Sequence, residues 1–141
     1  MAGPSLRIVF DTNVYISAAL EGQLAESVLH LAYVGSVTLI TSEAILDELR
    51  RKLTEKLGWA ESRVELFVTT VRSLAEVVEP DVQLQVVKDD DDDNRIVECA
   101  VVGEAGLIVT FDKDLLRLKS YEGIGINTPK QLTFFGLPGE E

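Results

Sequence analysis

Two residue types that build many compact reactive sites are almost missing from this 141-residue chain, which has one histidine and one cysteine. A lone Cys99 cannot close an internal disulfide, and this fits a reducing, cytoplasmic setting. A lone His30, in the helical stretch "VLHLA", argues against a histidine-based metal centre or nucleophile–histidine–acid triad. No apolar run approaches the ~18 residues that span a bilayer, so no membrane segment is expected. The opening "MAGPSLRIVF" lacks the basic-then-apolar order of a secretory signal. Basic residues are scarce as well: 13 Lys and Arg stand against 24 Asp and Glu, a net charge of −11. Taken alone, that excludes the basic footprint by which proteins usually hold nucleic acid. The exception is a chain whose carboxylates gather round metal ions, because the cation reverses the local field.

What is present is globular material, 46% hydrophobic and 26% charged, in a length that suits one domain with one sizeable core. We read 1–141 as a single domain whose motif-bearing part spans about 6–132. Arg7–Phe10 ("RIVF") reads as a buried strand broken by Asp11, Thr12 and Asn13, with a helix following to about Leu20. Leu24–Tyr33 reads as a second helix ended by Gly35, and Val37–Ile40 as another strand. Ser42 suits the cap of a helix carrying Ile45, Leu46, Leu49, Leu53 and Leu57 at helical spacing, ended by Gly58. Ala60–Leu74 reads as helix and Ala75–Val78 as strand, while Ile96, Val97, Ala100 and Val101 form the stripe of a further helix. Leu107–Thr110 and Gly125–Asn127 read as strands, and Thr128 with Pro129 starts a last short helix. Short apolar strands without polar alternation, separated by helices, predict a parallel sheet covered on both faces. Ligands of such sheets sit beyond the carboxyl ends of the strands. Two strand exits carry an acid there, Asp11 and Asp112.

A further block of acids stands in "KDDDDDNRI", Lys88–Ile96. Like charges in a row are ordinarily a solvated loop. A helix starting at about Asp93, however, puts Ile96, Val97 and Ala100 three, four and seven positions later, so Asp93 lies above the buried stripe while Asp91 and Asp92 point elsewhere. A carboxylate on the core side needs compensation, from helix N–H groups as an N-cap or from a cation. Asp11 poses the same pair of readings, turn cap or site. Asp114 reads as the N-cap of Leu115–Leu118, which leaves Asp112, nearer the strand, as the site candidate. In the helix after Ser42, Asp47–Arg51 and Glu48–Lys52 are ordinary i,i+4 pairs, and Asp47 and Glu48 flank the apolar stripe on opposite sides. The pattern does not choose between them. Cys99 and Trp59 read as packing residues. The aspartate run is no EF-hand, since counting from Asp89 puts Asn94 where glycine belongs and Ala100 where the bidentate glutamate belongs.

In order and spacing, "RIVFDTNVYISA", "TSEAILDELRRKL", "DDDNRIVECA" and "LIVTFDKDLLRL" resemble the four motif regions of PIN domains, and most closely the VapC-related branch of toxin components of toxin–antitoxin pairs. The resemblance covers about Leu6 to Leu132. It implies a three-layer α/β/α sandwich with a mainly parallel sheet, and metal-dependent cleavage of RNA. Carried over residue by residue, the family's acids fall on Asp11, Glu48, Asp93 and Asp112, so that Glu48 rather than Asp47 is chosen by resemblance alone. Thr12 and Asn13 stand beside the first acid as in the family, Thr110 begins the Thr-x-Asp pattern, and Asp90 and Asp114 are accessory acids of the branch. The five-aspartate run departs from the branch, which more often has proline within it.

Four carboxylates suit this chemistry because hard oxygen ligands hold Mg²⁺ or Mn²⁺, and the ion acidifies its water and neutralises phosphate oxygens. The resemblance makes Asp11, Asp93, Asp112 and Glu48 the metal-binding catalytic set, with Thr12, Asn13, Thr110, Asp90 and Asp114 around them. Arg50, Arg51, Lys52, Lys113 and Arg117 are placed to flank the RNA backbone, salt bridges being their commoner role. Expected partners are an RNA substrate, a cognate antitoxin and a second copy in a homodimer. Two other classes fit parts of the pattern. A haloacid-dehalogenase-like phosphatase also has an Asp after its first strand but wants a second two positions on, where this chain has Asn13. A non-catalytic acidic partner-binding domain would not need all four acids.

Overall fold

The computed structural model describes residues 6–20, 29–87 and 90–133. Strand β1 (Leu6–Phe10) is followed by α1 (Thr12–Ala19), β2 (Val37–Ser42), α2 (Glu43–Glu55), α3 (Glu61–Leu74) and β3 (Ala75–Val78). Then come α4 (Asp91–Val102), β4 (Leu107–Val109), α5 (Lys113–Leu118), β5 (Ser120–Tyr121), β6 (Ile124–Asn127) and α6 (Pro129–Thr133). Of the expected helix Leu24–Tyr33, residues 29–33 are helical and 24–28 lie outside the described residues, as do Lys88 and Asp89 of the acidic run.

The strands form one sheet in the order β3-β2-β1-β4-β6-β5. Every pairing is parallel except β5 with β6, a short antiparallel edge that the sequence pattern did not foretell. Strand residues alternate between two cores, as the two-residue period of a strand requires when both faces are covered. Ile8, Phe10, Leu39, Leu107 and Val109 pack with Tyr15, Leu46, Leu49 and Val68 on one face. Val9, Ile40, Ile108 and Ile126 pack with Ile96, Val97, Ala100 and Leu115 on the other. The result is an α/β/α sandwich of three layers.

Local signals explain most boundaries. Ser42 Oγ accepts from Ile45 N at 3.3 Å as the cap of α2, and Gly58, at φ +65°, makes the left-handed turn after it. Trp59 packs edge-on to Phe67 with the Arg63 guanidinium 3.7 Å from its ring centre, and free Cys99 is buried; both are packing residues. Two starts differ from expectation. The acidic helix begins at Asp91 rather than about Asp93, because Asp90 is its N-cap and accepts from Asp93 N at 3.0 Å. Helix α5 is capped by Asp112 rather than Asp114, since the Asp112 side chain reaches both Asp114 N and Leu115 N.

Strands β1 and β4 lie side by side in the middle of the sheet, where the connections diverge to opposite edges. That is the switch point at which open parallel sheets bind ligands. Asp11 N donates to Val109 O at 2.9 Å, so both strand exits share one crevice.

Candidate functional site

Asp11 leaves β1 as the N-cap of α1 and is 4% exposed. Its Oδ1 accepts from Thr12 N at 2.7 Å, and its Oδ2 accepts from Thr110 Oγ1 at 2.7 Å and from Asn13 Nδ2 at 3.2 Å. Thr110 Oγ1 in turn accepts from Asp112 N at 2.9 Å, and Asn13 Oδ1 from Phe111 N at 3.3 Å. Thr110 and Asn13 therefore tie the first strand exit to the second, and each fixes a carboxylate's direction through a buried or half-buried bond.

From the second exit Asp112 comes in half-buried, and from the start of α4 come Asp90, half-buried, and Asp93, 5% exposed. Carboxylate oxygens of Asp90, Asp93 and Asp112 all lie within 4.8 Å of one another. Asp93 Oδ2 is buried and has no hydrogen-bond partner. Asn94, 2% exposed, clamps the loop before the helix by accepting from Val87 N at 2.8 Å and donating to Val87 O at 2.9 Å. Asp91 and Asp92 are exposed. Within the run, the helical phase of the start alone decides which acid turns inward.

Glu48 and Asp47 also part company. Glu48 is 5% exposed, whereas Asp47 is exposed and pairs with Arg50 at 2.8 Å rather than with Arg51. Glu48 Oε1 meets Lys52 Nζ at 2.8 Å and accepts from Thr12 Oγ1 at 3.3 Å. Thr12 Oγ1 lies 3.5 Å from Asp11 Oδ1 and accepts from Lys52 Nζ at 2.9 Å. The expected four acids are thus arranged in two parts: Asp93 and Asp112 in one, where the accessory Asp90 joins them, and Asp11 and Glu48, joined through Thr12 and Lys52, in the other. Asp114 contributes its N–H to Asp112 while its exposed carboxylate pairs with Arg117 at 2.7 Å. The basic residues expected to flank the site are engaged too: Arg50 also meets Glu65 at 2.8 Å, and Arg51 lies 3.6 Å from Asp92.

The electrostatics follow from burial and crowding. Burial, then the charges of Asp112, Asp90 and Asp11, push Asp93 from 3.8 up to about 8. Burial also raises Asp11, aided by Glu48 and opposed by Thr110, Lys52 and the Thr12 N–H. Burial disfavours the Lys52 ammonium, but Glu48, Asp11 and Asp92 outweigh it and its pKa rises. The crevice is a negative, desolvated focus with one fixed cation on its Glu48 side. An unpartnered buried carboxylate oxygen beside two further carboxylates matches the hard oxygen donor set of Mg²⁺ or Mn²⁺, and neither sulfur nor imidazole stands among the residues described there.

Comparison with known proteins places the chain among relatives of known fold. Residues 7–114 match the PIN-domain family. The chain is 32% identical over 120 residues to the uncharacterized protein MJ1680 of Methanocaldococcus jannaschii, covering 81% of this chain and 76% of that one. Its fold is similar to a crystal structure of VapBC2 from Rickettsia felis bound to a DNA fragment from its promoter, with a TM-score of 0.63. That match has 16% identity and covers 86% of this chain and 98% of the other.

Proposed function

We propose that this chain, which belongs to the PIN-domain family over residues 7–114, is a divalent-metal-dependent endoribonuclease and the toxin of a toxin–antitoxin pair. One observation carries the reading: three carboxylates within 4.8 Å of one another at the sheet's switch point, one of them with a buried, unpartnered oxygen. Asp93, Asp112, Asp90 and Asp11 are the residues that would hold Mg²⁺ or Mn²⁺, and Glu48 borders the same crevice. Such an ion supplies a hydroxide-like water at neutral pH and charge neutralisation at phosphate.

The chain's own residues do the rest. Thr110, Asn13 and the Thr12 N–H hold both Asp11 oxygens in fixed directions, so little reorganisation is needed when substrate arrives. Asp90 and Asp112 are fixed in the same way by the helix starts they cap. On the rim, Arg50, Arg51 and Arg117 sit in exposed pairs that cost little to exchange for RNA phosphates. The similarity to VapBC2 supports an antitoxin partner, and a homodimer is the assembly we propose with it. Among the described residues no helix is long and apolar enough to cross a membrane, and a cytoplasmic setting is the one we propose.

The deciding experiment incubates the protein with single-stranded RNA and Mn²⁺ or Mg²⁺. Cleavage should be abolished by EDTA, by Asp11→Asn and by Asp93→Asn, yet Asp92→Asn should cut at nearly the wild-type rate. Equal loss from Asp92→Asn and Asp93→Asn would make the run a diffuse charge and overturn the site. Formation of an aspartyl-phosphate on Asp11 would instead favour the phosphatase reading, and no cleavage of any RNA with metal present would favour a partner-binding domain.

A further inference from the structure

We infer that the Lys52 ammonium is a built-in cation occupying the Glu48 side of the site, so that the site takes a single divalent ion. This rests on the metal-dependent reading above and deepens it. Lys52 stands one helical turn after Glu48 on α2, in the order that favours an i,i+4 ion pair. Surface pairs of this kind are loose, but here the carboxylate partner is almost fully buried, with a side chain 6% exposed against 24% for Lys52. Nζ makes two oxygen contacts at once, 2.8 Å to Glu48 Oε1 and 2.9 Å to Thr12 Oγ1. Thr12 Oγ1 is itself 3.3 Å from Glu48 Oε1 and 3.5 Å from Asp11 Oδ1. The ammonium therefore sits among the oxygens that a second ion bound by Asp11 and Glu48 would need.

A lysine ammonium is a compact point charge that takes oxygen partners much as a small cation does. It cannot share them with a divalent ion, because the two like charges would stand within one ligand shell of each other. Asp90, Asp93 and Asp112 form the other half of the crevice, where Asp93 Oδ2 is buried and unpartnered, and that half remains for an ion. On this account Lys52 is a positioning residue. It holds Glu48 and Thr12 in place and offers fixed positive charge to a phosphate.

The test counts Mn²⁺ bound per chain by isothermal titration and by electron paramagnetic resonance, on wild type, Lys52→Met, Lys52→Gln and Lys52→Arg. Wild type and Lys52→Arg should bind one ion with an uncoupled signal. Lys52→Met and Lys52→Gln should bind two, the pair coupled as ions about 4 Å apart are. The two neutral variants differ in bulk and polarity, so a folding defect in one leaves the other to decide. Two ions in the wild type, or a single ion in a folded neutral variant, would overturn this inference while leaving the metal-dependent reading intact. A wild type that binds no Mn²⁺ would overturn both.

Discussion

Removing the charge of Asp93 should inactivate the protein and stabilise its metal-free form. Asp93 is 5% exposed, and its carboxyl is pushed from 3.8 to about 8 by burial and by Asp112, Asp90 and Asp11. A folded pKa above the unfolded one means that the group's stabilising contribution is complete below about pH 4 and is lost as pH rises to about 8. The whole rise corresponds to roughly 6 kcal/mol, of which about 4 kcal/mol is lost by pH 7. Solvent screening and sharing of the proton with the neighbouring acids leave on the order of 1–2 kcal/mol for Asp93→Asn to recover at pH 7. At pH 7 the folded carboxyl is still mostly protonated, so Asp93→Asn gives up little of the charge–dipole attraction in the first turn of α4. The balance favours the variant, by about 3 °C or more in Tm for a chain of this size. Thermal melts in EDTA should show a gap that is small near pH 5 and widens to about pH 8.5. Mn²⁺ at about a hundred times its Kd should add about 2.7 kcal/mol to wild type and almost nothing to the variant. Were Asp93→Asn to melt lower than wild type in EDTA at pH 7, with Mn²⁺ shifting both equally, Asp93 would be a helix-end charge and not a ligand.

The remaining predictions concern the frame. Asn94→Ala removes the two buried side-chain bonds to the Val87 backbone and should cost about 2–4 kcal/mol in urea unfolding. It should also weaken Mn²⁺ binding in titration, because Asp90 lies in the segment that Asn94 clamps. Gly103→Ala should cost about 1–3 kcal/mol through overpacking, since an added Cβ would lie 2.6 Å from Ile40 Cγ2 and 2.9 Å from Cys99 O. Its Mn²⁺ affinity should match wild type, which separates damage to the fold from damage to the site.

The sheet and its two-sided cover were legible because the strands are short, apolar and unalternated, a pattern that only a sheet buried on both faces produces. Strand β5 was not, because two residues at an edge, Ser120 and Tyr121, carry no periodicity. At the site the sequence located the strand exits but stopped at Glu48 against Asp47, since neighbours on opposite flanks of a stripe look alike until packing buries one. Lys52 was legible as the partner in an ordinary i,i+4 pair and as one of several basic residues flanking the site. Its contact with Thr12, forty positions away in the chain, depends on how α2 lies across α1 and could not be read from spacing. The start of α4 was misjudged by two residues for a related reason: in a run of identical aspartates every position is an equally good cap, and only the fold picks Asp90.

For these acids the roles of helix cap and metal ligand are compatible. A carboxylate has two oxygens and about four lone pairs. The cap bonds of Asp90 and Asp112 fall on Oδ1 alone, so the same side chain can satisfy a helix start and offer its other oxygen elsewhere. Asp11 does the opposite, committing Oδ1 to Thr12 N and Oδ2 to Thr110 and Asn13, which makes it the most rigidly held of the group. This division bears on the net charge of −11. Negative charge that is anchored by helix ends and hydroxyls cannot swing away to relieve its own repulsion, so the relief comes from a proton, as on Asp93, or from a cation brought to it. A phosphodiester, itself an anion, would then meet a crevice whose sign has been set by that cation and by Lys52 rather than by the surface as a whole.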